Sequence, residues 1–324
     1  MLRLIICPTV SSDADTPIDD IANSNSDFCC SRWFTRGWTL QELIAPSNVV
    51  FYNRRWDFIR HKHVFGWGDV VKRGSNPVEV SILTVLRQIT NMPLGVLAGH
   101  THPKSVSIAT RMTWAARRQT TRREDIAYCL LSLFNINMTM LYGEGHQAFR
   151  RLQEEIIRTS DDESIFAWGF GCAVSASGAL HSRDGVNTLL ASSLADFSGC
   201  EDVRPLPLKH EWGKKHATHY VLTNKGLLVE RPILTLPSEF NTSLLPLNCC
   251  VAERWKDRVF TMHTTVEDLY PQVLALRLGG VLSQDARLEA YTTCRVIPVD
   301  FTMFQRTPPG LLNTKIERIY VDMS

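Results

Sequence analysis

The sequence predicts an α/β part reaching to about Trp168 and a β-rich part after it, α+β taken as a whole. Three observations lead there. Apolar residues recur at helical spacing over 77–90, 122–134 and 146–158. Beyond Gly169 that spacing becomes scarce, and short strand-like runs separated by Gly, Pro, Asn and Ser take over, as in a β-sandwich or barrel. Between the two, Asp161-Asp162-Glu163 reads as a boundary. The expected division is therefore 1–30, a short strand and a polar acidic linker; 31–168, the α/β part; and 169–324, the β-rich part.

Taken in order, Leu2 to Cys7 reads as a short buried strand, and the acidic, turn-rich residues 9–27 as a loop or disordered segment. The stretch SRWFTRGWTLQELIAP, Ser31 to Pro46, has a helical apolar pattern. Ser31 can accept a free N–H of the first turn, and Pro46 stops the helix because it lacks an N–H of its own. In one continuous helix Trp38 and Glu42 would share a face. A carboxylate beside an indole sits in reduced dielectric, which suits acid or base work; the plainer reading is a solvated Glu on a helix with one buried face. Val49 to Tyr52 reads as a strand, Asn53-Arg54-Arg55 as a turn, and Trp56 to Ile59 as the returning strand.

Asn76, Pro77 and Glu79 form a helix start, with Val78, Ile82, Val85 and Ile89 on one face. Thr121-Arg122-Arg123-Glu124 has the spacing of a second capping box, with Ile126, Leu130, Leu131 and Phe134 apolar behind it. Arg117, Arg118, Arg122 and Arg123 read as a solvated loop pairing with Glu124 and Asp125, although such a cluster could also hold phosphate or act as a nuclear import signal. In HQAFRRLQEEIIR, Phe149, Leu152 and Ile156 should face inward and Arg150, Arg151, Glu154 and Glu155 outward. SIFAW, 164–168, reads as a strand, and so do HYVLT, GLLVE, CCVAERW, VLALRL and YTTCRVIPV further on.

A net charge of +2 gives no global electrostatic case for nucleic acid or membrane. No run approaches the length that crosses a bilayer, and MLRLIIC is short for a signal-peptide core. Nine cysteines, none in a C-x-x-C pair and several among apolar neighbours, read as free thiols of a cytoplasmic protein. The pairs His61/His63 and His100/His102 lack a third ligand, and His210-Glu211 is followed by Lys214 where a zinc protease needs its second His, so no metal is expected. Phosphate-cradling glycine motifs and a nucleophile elbow are missing as well, which leaves no cofactor to name.

RGWTLQELIAP resembles the signature of the fungal heterokaryon-incompatibility (HET) domain, and the block from RMTWAARRQ through MLYGEGHQAFRRLQEEI to FAW resembles the end of the same domain. The resemblance covers about Ser31 to Trp168; LLASSLADFSGC and HYVLTNKGLLVE resemble the β-rich region that commonly follows HET domains. It implies a role in nonself recognition and regulated cell death, through protein partners or self-association. The HET family is distantly similar to TIR domains, which implies a partial TIR-like, flavodoxin-like fold. Trp38-x-x-x-Glu42-Leu43 echoes the W-C-x-x-E-L of NAD-cleaving TIR domains, which implies that Glu42 is catalytic, that Trp38 supports it, and that NAD is the substrate. The strand–helix units that open a complete HET domain, resembling ILSHTWG and WIDTCCID, have no counterpart here. The expectation is thus a truncated HET domain acting as an interaction and signalling module. The alternatives are an NAD glycohydrolase using Glu42, or an inactive remnant.

Overall fold

The computed structural model describes residues 2–6, 10–63, 82–169, 188–205, 220–223, 226–232, 234–236, 242–251, 272–285, 288–300 and 316–321. The start proposed at Asn76 to Glu79 and the His210-Glu211 pair lie outside them. The elements of the first half are β1 (Leu2–Ile6), α1 (Ile18–Ala22), α2 (Thr39–Ile44), β2 (Asn48–Tyr52), β3 (Phe58–His63), α3 (Ile82–Thr90) and α4 (Leu94–Leu97). There follow α5 (Ile108–Thr113), α6 (Asp125–Tyr128), α7 (Leu131–Phe134) and α8 (Gln147–Thr159). The strands of the second half are β4 (Val203–Pro205), β5 (Val221–Thr223), β6 (Gly226–Pro232), β7 (Leu234–Leu236), β8 (Thr242–Val251), β9 (Gln272–Asp285), β10 (Leu288–Asp300) and β11 (Ile316–Val321). The chain is an α+β mixture that divides into two compact units, one of Met1–Val106 with Trp114–Ala148, the other of Ser107–Thr113 with Phe149–Ser324.

The first unit holds a three-stranded sheet, order β1-β2-β3, parallel between β1 and β2 and antiparallel between β2 and β3. Val49 and Phe51 of β2 point inward and their neighbours are half-exposed, the period of two that a one-sided sheet requires. Behind Phe51 lies an aromatic core: Phe28, Trp33 and Phe34 meet it or each other mostly edge-on, with centroids 5.0–6.3 Å apart. Residues 10–27, expected as loop, are tied into this core. Val10 and Ile21 are fully buried, and the Asp27 carboxylate accepts from the Ser11 and Ser12 hydroxyls. Burial alone would raise the Asp27 pKa, but these bonds hold it below the usual value.

The stretch from Ser31 to Pro46 is two short helices rather than one. Ser31 does cap, but over a 3₁₀ turn, Arg32–Thr35; an isolated bridge between Arg36 and Gln119 interrupts the run before α2 begins. The helix expected over 122–134 likewise breaks into α6 and α7, and the second ends on Asn135 in the left-handed conformation. The Glu124 side chain makes no cap, so the capping box is absent. Arg118 is buried instead of solvated. α3 buries Ile82, Val85, Leu86 and Thr90, with Ile89 at its margin.

In the second unit α8 turns Phe149, Leu152 and Ile156 inward, as its pattern requires. Gln153 is also buried, and its amide pairs twice with the Ala191 backbone, each bond 2.9 Å. SIFAW is not a strand. Asp162 accepts the Ser164 N–H and starts a 3₁₀ turn, Glu163–Ala167. The second Asp162 oxygen takes the Ile108 N–H at the start of α5, and Glu163 is buried against Asn248, whose backbone N–H it accepts at 2.7 Å. Asp162 thus caps the turn, and Glu163 fastens it to β8. The strands form one eight-stranded sheet, order β4-β8-β9-β10-β11-β6-β5 with β7 also on β8, antiparallel except between β10 and β11. Three of the five runs read as strands beyond 215, GLLVE, VLALRL and YTTCRVIPV, fall within β6, β9 and β10; HYVLT is strand over Val221–Thr223, and the described part of CCVAERW is strand in β8.

Candidate functional site

Short helices lack the length to hold themselves, so α2, which carries Glu42, depends on tertiary bonds. Arg118 supplies them at one end. Its Nε donates to the Trp114 carbonyl at 3.1 Å, and its Nη1 to the Arg36 carbonyl at 2.8 Å and the Thr39 hydroxyl at 2.9 Å. Burial pulls this guanidinium down to about 10, with the Cys129 thiol opposing. In mid-helix Gln41 donates to the Cys129 carbonyl at 2.6 Å. At the other end Lys62, fully buried on β3, donates to the carbonyls of Leu43 at 2.7 Å and Pro46 at 3.3 Å. A cation there meets the negative end of the helix, yet burial still lowers its pKa to about 8.

Glu42 itself is half-buried and accepts from the indole Nε1 of Trp33 at 3.4 Å. The indole that donates to it is thus Trp33, from the core; Trp38, at the first position before α2, is exposed. The approach of the 118–129 segment to α2 requires a glycine at position 37. A Cβ there would lie 2.5 Å from Thr120 Cγ2 and 3.2 Å from Cys129 Sγ. The two sequence blocks that carry the resemblance meet here. Sequence reasoning found Glu42 but missed Trp33, Arg118 and Lys62 as its supports; a Lys on the inward phase of a strand was the one available signal.

A second arrangement lies in the same unit. Tyr128, fully buried, accepts the Leu141 N–H at 2.7 Å and donates to Glu144 at 2.7 Å. Glu124 accepts the N–H groups of Gly143 at 2.8 Å and Gly145 at 3.1 Å. With its own backbone N–H, these bonds hold the Glu124 carboxyl below the usual range. Arg122 stacks over the Tyr142 ring, 4.7 Å from its centroid, and the Tyr142 hydroxyl donates to Asp125. The loop so pinned presents Met140, Leu141 and Tyr142 to solvent, each about half exposed. Among the described residues no group of three His, Cys, Asp or Glu is placed to hold a metal, and no helix is long and apolar enough to cross a membrane.

The six described cysteine side chains are free thiols. Residues 147–255 match the model of a domain of unknown function (DUF8212). The chain is also 39% identical over 127 residues to Vegetative incompatibility protein HET-E-1 of Podospora anserina. That match covers 39% of this chain and 8% of the relative, so the chain spans a small part of the relative's length. No solved structure matches. These similarities link the chain, at family level, to fungal vegetative incompatibility.

Proposed function

We propose that the chain is a HET-type interaction and signalling module of fungal nonself recognition, acting through protein partners in the cytoplasm and leading to regulated cell death. The observation that carries this reading is the loop Met140–Tyr142. Three consecutive large apolar side chains are exposed on a backbone fixed by Glu124 and Tyr128. Exposed apolar groups held in one geometry lose little entropy on binding, which is how a recognition surface gains affinity. The parallel β1–β2 pair supports reading the first unit as part of a TIR-like, flavodoxin-like sheet. The similarity to HET-E-1 supports the biological setting.

The Trp33–Glu42 contact favours a second reading, NAD cleavage with Glu42 stabilising the oxocarbenium-like state. One experiment separates them. The chain is expressed from an inducible promoter in a filamentous fungus, and colony counts are compared for wild type, Leu141→Ser/Tyr142→Ser, and Glu42→Ala. The interaction reading expects killing by wild type, relief by the loop variant and none by Glu42→Ala. Relief by Glu42→Ala together with loss of NAD consumption supports the enzyme. No killing by wild type overturns both.

A further inference from the structure

The turn between β2 and β3 holds a large, exposed aromatic side chain in an unusual backbone conformation. Trp56 stands in the left-handed region, φ 68°, where a bulky side chain is strained and Asn or Gly is usual. It is held there by Asn53, which is buried. The Asn53 side-chain oxygen accepts the N–H groups of Arg55 at 2.8 Å and Asp57 at 2.9 Å. Its amide donates to the Asp57 carboxylate at 3.1 Å, and its carbonyl accepts the Trp56 N–H at 3.1 Å. The result is a rigid turn that aims an indole outward, 62% exposed. Phe58, also exposed, and the half-buried Tyr52 stand beside it: Tyr52 lies 6.1 Å from Trp56 and 6.4 Å from Phe58, centroid to centroid. Arg54 and Arg55 immediately precede Trp56, both exposed and with no side-chain hydrogen bond or ion pair among the described residues. The carboxylate of the turn, Asp57, is taken up by Asn53.

We infer that this hairpin tip is a docking site for an acidic protein segment bearing apolar or aromatic side chains. Charge complementarity selects the partner: Arg54 and Arg55 adjoin the aromatic surface along the turn, and their two positive charges outnumber the single carboxylate of the turn, Asp57. Trp, Tyr and Arg are the side chains that dominate binding energy at protein interfaces. A fixed turn spares them the entropy of ordering. Strain kept at an exposed position is explained by a use outside the fold. The inference rests on the hairpin alone and holds whether or not the module acts in incompatibility.

The test uses the full chain and a fluorescein-labelled random copolymer of glutamate and tyrosine, followed by anisotropy. Polyglutamate and phosphatidylserine vesicles serve as comparators. Wild type is expected to bind the copolymer more tightly than polyglutamate. Trp56→Gly and Arg54→Glu/Arg55→Glu are each expected to weaken it about tenfold or more. Trp56→Gly is expected to melt at or above the wild-type temperature, since glycine accepts the left-handed conformation; Trp56→Asn provides the same check. Failure of wild type to bind the copolymer overturns the inference, as does undiminished binding by the variants. A lower melting temperature in both Trp56 variants makes the indole a packing residue and overturns it too. Vesicle binding lost in Trp56→Gly with copolymer binding unchanged assigns the tip to a membrane surface instead.

Discussion

The indole N–H of Trp33 and the carboxylate of Glu42 are joined by a hydrogen bond of 3.4 Å, so the acid on α2 is anchored to the aromatic core that packs on Phe51. Trp33→Phe keeps a ring in place and removes the donor; Glu42→Ala removes the acceptor. A double-mutant cycle by denaturant unfolding should return a coupling of about 0.5–1.5 kcal/mol. Strictly additive effects would mean that the bond does not persist in solution.

Gly37→Ala tests the close approach of 118–129 to α2. The added methyl meets Thr120 Cγ2 at 2.5 Å, so a loss of about 1–3 kcal/mol is expected. Thr120→Ser removes that carbon and should restore part of the loss in the double variant. A Gly37→Ala protein as stable as wild type would show that the segment yields without cost.

Lys62 gives a pH signature. Its folded pKa, about 8, lies below the 10.5 of the free side chain. The unfolded chain therefore binds this proton more tightly, and folding is penalised in full below pH 8. The penalty fades as pH rises toward 10.5. Cys129 and Cys250, both pushed up to about 12 by burial, act oppositely as the unfolded thiols ionise. The quantity to measure is thus the melting temperature of wild type minus that of Lys62→Met. It should rise between pH 8 and 10.5; a flat difference would place an ordinary, solvated amine at this position.

Glu124 acts at the acid end. Its carboxyl lies below the ordinary value of 4.5 when folded, so the bonds to Gly143 and Gly145 are complete above that value and lost as pH falls through the folded one. Amide protection factors at Gly143 and Gly145 should drop over this range. In Glu124→Gln they should be pH-independent. Equal profiles in the two proteins would remove Glu124 from the loop.

Periodic features were legible in the sequence. α8 and its buried Phe149 and Leu152, the β2–β3 hairpin, and most of the later strands follow from apolar spacing, which burial enforces directly. What escaped were side-chain bonds that redirect local signals. Glu124 has capping-box spacing, but it bonds with a loop some twenty residues on. Arg118 sits in a run of basic residues and is the one that turns inward, because Arg36 and Thr39 offer it acceptors. SIFAW has strand composition, but Asp162 nucleates a turn before a ladder can form. Helical spacing points to Trp38 as the indole beside Glu42, but the indole that donates to it is Trp33, on the separate 3₁₀ turn Arg32–Thr35. Such long-range partners leave no periodic trace.

The second unit is not contiguous in the chain, and this governs how it can be cut. Seven residues, Ser107–Thr113, belong to it although the sequence on either side belongs to the first unit. They satisfy Asp162 and Ser164 through the Ile108 and Ala109 N–H groups, and the Val203 carbonyl through the Ser107 hydroxyl. A fragment confined to the matched region, 147–255, omits α5 and strands these acceptors in what was interior. Boundaries drawn from linear similarity therefore yield an unstable excision product. A circularly permuted chain, or a synthetic peptide of 107–113 added in trans, is what would make that half of the molecule separable.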